Sequence, residues 1–261
     1  MHRSRASQDL EQRIRRASGS VEELAGVLHD NSREVLLALL DNPRLTEEHV
    51  LVLLARPNLP QEVIRELSYR ELLTRSYRVK LAIARHPHTP RSVSLPIMRH
   101  LFLFDLLKVT QTPAVPADIR RVAEEALTSR GLALALGERI ALARRGTGRI
   151  ASALLLDKER AVFETALNNP KMTEELVLKA LAQESISAEA VEAVAAHPRW
   201  SLAYNVQLAL LRHPLSSLAR VLALAAQVKR RDLAEIVEDP RMPANRRAYL
   251  ARIASPPRRT S

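Results

Sequence analysis

Residues 39–51 read "LLDNPRLTEEHVL" and residues 166–178 read "ALNNPKMTEELVL". Pro170 lies 127 residues after Pro43, and the same step carries Tyr77 onto Tyr204, Val79 onto Val206, and Leu81 and Ala82 onto Leu208 and Ala209. It carries Arg85, His86 and Pro87 onto Arg212, His213 and Pro214, and Asp105 and Leu106 onto Asp232 and Leu233. Pro113, Pro116 and Arg120 fall on Pro240, Pro243 and Arg247; upstream, Gly19 and Asp30 fall on Gly146 and Asp157. Chance can match an isolated Asn-Pro. It does not hold this many turn residues in one ungapped register, so the sequence reads as a tandem duplication with a 127-residue offset.

The composition is that of a helical chain. Only six glycines occur in 261 residues, aromatics are 3%, and apolar residues reach 46%. Ala, Leu, Arg and Glu dominate, all good helix formers. The fifteen prolines are spread out and punctuate Leu/Ala-rich segments, where they mark helix boundaries. No stretch alternates with the period of two that a strand requires. The punctuation predicts helices near 21–30, 33–41, 46–55, 60–69, 76–86, 90–100, 104–110 and 116–129. It predicts further helices near 137–144, 148–156, 159–168, 173–183, 187–196, 200–212, 216–227, 231–238 and 243–254. Thr46 and Thr173, each followed by acids, are expected N-caps, because a threonine oxygen satisfies an orphan N–H and carboxylates favour the positive helix end. Asp105 and Asp232 are expected to cap short helices, and Pro96 to kink or split the segment 90–100. Tyr77 and Tyr204 are expected to pack on the preceding helix.

Short helices in antiparallel pairs cannot bury their apolar faces alone and must stack on neighbours. "VKLAIA" (79–84) and "VQLALL" (206–211) are apolar on most sides, as helices inside a stack must be. The fold expected is therefore all-α, an α-solenoid of short antiparallel helix pairs. Its parts would be a basic N-terminal segment at 1–19, flexible or helical, a first half at 20–129, a second half at 130–254, and a disordered basic tail at 255–261.

The recurring Asn-Pro or His-Pro followed by Thr or Pro, as in "RHPHTPRSV" and "NNPKMTEELV", resembles the punctuation of bacterial HEAT-like repeats. It is also similar to that of leucine-rich-repeat-variant proteins, right-handed stacks of short helices. The resemblance spans about residues 20–254 and implies a HEAT-like superhelix. Leucine-rich-repeat-variant proteins can carry a cysteine cluster for iron–sulfur binding; this chain has no cysteine, so that feature does not transfer. One HEAT-like family excises alkylated DNA bases with Trp, Asp and Arg in a concave groove, but no motif here maps onto it residue by residue.

Several small constellations have the residue types for chemistry. His86 and His88 have an H-x-H spacing, but His213 has Leu215 where the second histidine would recur, so a structural helix end is favoured over a metal site. "RRGTGR" at 144–149 could hold a phosphate on backbone N–H groups, yet it lacks the P-loop lysine and its preceding strand; an inter-helix turn is favoured. Trp200 is read as core or rim packing. No cofactor and no metal are expected.

The charge is uneven. Residues 1–127 hold 19 Lys+Arg against 16 Asp+Glu, and residues 128–261 hold 21 against 13, so most of the net +11 lies in the second part. The windows 72–104 and 199–231 each contain six basic residues and no acid, and 241–261 adds six arginines without an acid. Candidate polyanion-binding residues are Arg78, Lys80, Arg85, Arg212, Arg220, Lys229, Arg230, Arg231, Arg246 and Arg247. They suggest a diffuse positive surface rather than a pocket. The missing cysteine fits a reducing compartment. The start "MHRSRASQDLEQRIRRAS" has no apolar segment of a secretory signal, and no apolar run reaches the roughly 18 residues that span a bilayer. The expectation is a cytoplasmic, non-enzymatic helical-repeat scaffold that binds a protein partner on an extended surface. The alternatives are nucleic-acid backbone binding through the two basic windows and, less favoured, a HEAT-like DNA-repair glycosylase.

Overall fold

A computed structural model describes residues 5–130, 133–240, 242 and 244–254. The expected tail at 255–261 and Arg241 lie outside the described residues. Everything described is helix, turn or loop, and the chain divides into two units, Met1–Ser129 and Arg130–Ser261.

The first unit contains α1 (Arg5–Ala17), α2 (Val21–Val27), α3 (Arg33–Leu40), α4 (Glu47–Leu54), α5 (Gln61–Tyr69) and α6 (Glu71–Thr74). It continues with α7 (Tyr77–Arg85), α8 (Arg91–Met98), α9 (Leu103–Gln111) and α10 (Ala117–Arg130, which ends one residue past the boundary). The second contains α11 (Leu136–Arg145), α12 (Gly148–Leu154), α13 (Arg160–Leu167), α14 (Glu174–Leu181) and α15 (Ala188–Ala196). A 3-10 turn (Trp200–Leu202) leads to α16 (Tyr204–Arg212), α17 (Leu218–Ala225), α18 (Arg230–Glu238) and α19 (Ala244–Ala254). The starts of α2, α3, α4, α5, α7, α8, α9 and α10 recur 127 residues later as the starts of α12 to α19. The helices pack mainly on near neighbours. In the first unit α1, α3 and α5 form one row and α4, α7 and α9 another; in the second, α11, α13 and α15 face α12, α14 and α16. Mostly neighbour-to-neighbour packing of short helices is the pattern of a repeat array.

The core follows the apolar stripes. In the first unit Val35, Leu36, Leu39, Val50, Val63, Ile64, Val79 and Ile83 are sealed from solvent, and in the second Val162, Ala166, Val177, Val194, Val206, Leu210 and Leu211 are. Burying one such side chain stabilises by about 1.5–3 kcal/mol. No helix among the described residues is long and apolar enough to cross a membrane.

Each punctuating dipeptide is a two-handed hydrogen-bonding device. The Asn42 Oδ1 accepts the Arg44 N–H at 2.9 Å, while its Nδ2 donates to the carbonyls of Ala17 at 2.9 Å and Gly19 at 3.2 Å. Asn169 repeats this, accepting from Lys171 and donating to Ala143 and Gly146 at 2.7 and 3.2 Å. Histidine does the same work elsewhere. The Nδ1 of His86 accepts the His88 N–H and its Nε2 meets the Arg56 carbonyl at 2.8 Å. His213 accepts from Leu215 and meets the Leu181 carbonyl at 3.0 Å. A side chain that turns its own loop also satisfies carbonyls left over at an earlier helix end. The proline that follows prevents the helix from continuing.

Thr46 and Thr173 cap α4 and α14 as the sequence predicts, accepting from His49 and Leu176. Other expectations need correction. Asp105 and Asp232 are not the cap residues: Phe102 and Lys229 occupy those positions, and each aspartate accepts a tyrosine hydroxyl, from Tyr77 at 2.7 Å and from Tyr204. The tyrosine hydroxyls thereby reach a later helix, and their oxygens also accept the N–H of Phe102 and of Lys229. The segment 90–100 is neither split nor shared between two helices. Pro96 lies in the last turn of α8, where one lost backbone bond is tolerated. The segment 200–212 divides at Ala203, because Trp200 turns inward and donates its Nε1–H to the Leu167 carbonyl at 3.0 Å. The N-terminal segment is helical, as α1.

Candidate functional site

Four of the ten basic side chains singled out in the sequence are held by hydrogen bonds or ion pairs of their own unit. The Arg78 guanidinium lies 2.8 Å from Glu48 and 3.3 Å from Glu47. Arg220 reaches Glu192 at 2.5 Å. Arg246 donates to the carbonyls of His213, Pro214 and Ser216, and Arg247 to those of Asp239, Pro240 and Met242, so both close helix ends. Arg212 lines a hollow of about 510 Å³ together with Glu184 and Asp239. Arg85 acts on Asp105, whose carboxyl is held below the ordinary range first by the Lys108 ammonium, then by the Tyr77 hydroxyl, with Arg85 a smaller contributor. Lys80 is half-buried on α7.

Beside these, one local group of basic residues stands out. Lys229, Arg230 and Arg231 are exposed side by side at the start of α18, and no ion pair joins them to an acid among the described residues. The Lys229 ammonium stands 5.6 Å over the Tyr204 ring. Three cations at a helix N-terminus oppose the local dipole, so their placement is not explained by helix stability. In the first unit the matching place carries Phe102, which is 68% exposed and packs on the Tyr77 ring with centroids 4.6 Å apart.

The second unit also contains a groove of about 680 Å³ running between α13 and α15 to the start of α17. Its floor is apolar: Phe163, Leu167, Ala188, Ala193 and Ala196, closed at one end by Leu215. Its edges are charged or polar: Arg160, Glu164, Asn168, Glu189, Glu192, His197 and Ser217. Arg160 holds Glu164 at 2.7 Å and Glu192 holds Arg220, while Glu189 is exposed and has no cationic partner among the described residues. Helix periodicity builds this lining. On α13 the positions 160, 163, 164 and 167, and on α15 the positions 188, 189, 192, 193 and 196, form stripes three and four residues apart. At the groove's end, His197 accepts the Arg199 N–H on Nδ1 and meets the Asn168 Oδ1 at 3.3 Å on Nε2. Burial, with the Arg199 charge beside it, holds the pKa of this imidazole below the ordinary histidine range.

This groove was not read from the sequence. Its signal was present in the 127-residue offset, where Ala188, Ala193 and Ala196 stand in place of Gln61, Glu66 and Tyr69. Other candidates resolve structurally. His86 and His88 both face backbone carbonyls, and no group of three or more His, Asp or Glu positioned for a metal ion occurs among the described residues. The glycines of "RRGTGR" serve close packing: a Cβ on Gly148 would lie 2.3 Å from the Lys171 carbonyl oxygen, and one on Gly146 would lie 2.5 Å from that of Leu142.

Comparison of the chain with family models, with curated sequences and with solved structures returned no match.

Proposed function

We propose that the protein is a non-enzymatic helical-repeat scaffold, an α-solenoid built by tandem duplication, that binds a protein partner in the groove of its second unit. The duplication is supported by the shared helix starts and by hydrogen bonds that recur at the same step, Asn42 with Asn169 and Tyr77–Asp105 with Tyr204–Asp232. The HEAT-like and leucine-rich-repeat-variant resemblance rests on the punctuation that makes those bonds.

The observation that carries the binding reading is the groove itself. An apolar floor with a polar rim, lined by two helices of one row, is the form in which a short peptide segment is held, with apolar anchors for affinity and rim groups for register. The test is capture from an extract of the source cells, nuclease-treated, by the wild type and by an Ala193→Trp variant whose indole fills the groove. Proteins captured by the wild type and lost from the variant support the reading. Identical captures contradict it.

A second reading, nucleic-acid backbone binding, is favoured by Lys229, Arg230 and Arg231. Contacts of that kind go to phosphates, so affinity would fall steeply with salt and depend little on sequence. Titration of short single- and double-stranded oligonucleotides of arbitrary sequence at about 50 and 200 mM salt tests it, and no binding at the lower salt would exclude it.

A further inference from the structure

The start of α19 is tied to a turn far back in the chain. Arg246, in the first turn of this helix, donates to the carbonyls of His213 at 2.8 Å, Pro214 at 2.8 Å and Ser216 at 2.5 Å, 30–33 residues earlier. A cation in a first turn opposes the helix dipole, so α19 itself gives no reason for this arginine. At the matching position of the first unit stands Ile119, which is buried. The three carbonyls converge on Arg246 because His213 shapes the turn between α16 and α17. Its Nδ1 accepts the Leu215 N–H at 3.2 Å, its Nε2 meets the Leu181 carbonyl at 3.0 Å, and its own carbonyl accepts the Ser216 N–H at 3.1 Å. A neutral imidazole can accept on one nitrogen and donate on the other; an imidazolium can only donate.

We infer that His213 is an acid-sensitive latch for α19: a proton on its Nδ1 breaks the turn whose carbonyls hold Arg246, and this helix lets go while α13 to α15 stay packed. The inference is independent of what the groove binds. Two effects act together. A protonated Nδ1 would face the Leu215 N–H, so the turn loses its internal bond. The new charge also lies beside the Arg246 guanidinium just as that group loses its aligned carbonyls. The bond to Leu181 survives, because Nε2 donates in both states. The other charges around the ring are Arg212 at the end of α16 and the carboxylates of Glu184 and Asp239, which line the same hollow; Arg220 of α17 is held by Glu192. The arginines disfavour the imidazolium and the carboxylates favour it. Burial is the largest influence and, with Arg246, outweighs the Leu181 bond, so the pKa of this ring lies below the ordinary histidine value. The folded form is then the poorer proton acceptor, and the latch weakens as the pH falls below about 6.5. Because α19 packs on α17 and α18 and buries Leu250, its release uncovers an apolar face. The His86 turn of the first unit has Ile119 in place of the arginine, so acid should loosen that turn without freeing α10.

The experiment is amide hydrogen exchange of the full-length chain, wild type against His213→Asn, at about pH 7.5 and about pH 5.5. Comparing the two proteins at one pH cancels the intrinsic pH dependence of exchange. Asparagine is chosen because Asn42 and Asn169 make the same turn without a titrating group. At the higher pH, α19 should be equally protected in both. At the lower, one unit below the ordinary histidine value, α19 of the wild type should open about tenfold more often than that of the variant, with α13 unchanged, and His86→Asn should leave this difference in place. The wild type alone supplies a second measurement that does not need the variant to fold. Histidine-ring nuclear magnetic resonance should show His213 titrating below the ordinary value, and the opening of α19 should rise between about pH 6.5 and that midpoint. Equal protection of α19 in wild type and variant at the lower pH would overturn the latch. So would an opening that is flat through the His213 window, or loss of protection in α13 and α19 together.

Discussion

Asn169→Ala tests the punctuation mechanism most sharply. Asn169 is 2% exposed, and its amide is bonded only to backbone: Nδ2 donates to the carbonyls of Ala143 at 2.7 Å and Gly146 at 3.2 Å, with a longer contact to that of Arg144 at 3.4 Å, and Oδ1 accepts the Lys171 N–H at 2.8 Å, which amounts to about three full bonds. Each bond contributes about 1 kcal/mol net, and the groups left behind are buried away from water. The expected loss is therefore about 3 kcal/mol, close to that of a large core truncation. The assay is urea unfolding followed by far-ultraviolet circular dichroism, with Asn168→Ala as the neighbouring control. Asn168 is exposed and donates to the Glu164 carbonyl at 2.8 Å, so its removal should cost about 1 kcal/mol or less. A loss at Asn169 no larger than that at Asn168 would refute the reasoning and return the Asn-Pro motif to a simple turn.

Three further outcomes follow from the same geometry. His86, His197 and His213 are all held below the ordinary histidine value, each first by burial; the unfolded chain then binds protons before the folded one, so stability should be full above about pH 6.5 and fall as the pH drops below it. His213→Asn, which keeps a donor and an acceptor, should flatten that slope in urea titrations between pH 7.5 and about pH 5, and an unchanged slope would remove His213 from the account. Gly148→Ala should destabilise by about 1–3 kcal/mol through overpacking against the Lys171 carbonyl and Leu176, read as a lower thermal midpoint; a neutral or stabilising result would mean that the α12 start is free to shift. Charge reversal of Lys229, Arg230 and Arg231 together should eliminate any salt-sensitive oligonucleotide binding without lowering stability, since none of the three makes an ion pair with an acid among the described residues, and binding that survives would place the polyanion contact elsewhere.

The sequence made the boundaries of these helices legible because they are written in residues with local jobs. Thr46 and Thr173 act within one turn, and Pro43 and Pro170 act on the backbone beside them, so reading along the chain suffices. It failed where the partner comes from another repeat. Asp105 looked like a cap because the Tyr77 hydroxyl that it accepts arises 28 residues earlier. The acid-free windows looked like unneutralised charge because Arg78 and Arg220 find Glu48 and Glu192, 30 and 28 residues earlier; a count of acids within a window cannot register the preceding helix pair. The groove was hidden for a different reason. It consists of side chains that are small where the matching residues are large, and a run of alanines in a helix reads as helix propensity until Gln61, Glu66 and Tyr69 are placed beside it.

The central claim, that the second unit holds a protein partner between α13 and α15, can be measured by footprinting. The chain has no cysteine, so Ala193→Cys places a single thiol in the groove. Its rate of modification by a maleimide is measured alone, in an extract of the source cells, in the same extract after nuclease treatment, and after protease digestion and removal of the protease. The account predicts slowing by the extract that survives nuclease and disappears with protease. Modification at the same rate in every sample, or protection that nuclease abolishes, would contradict it.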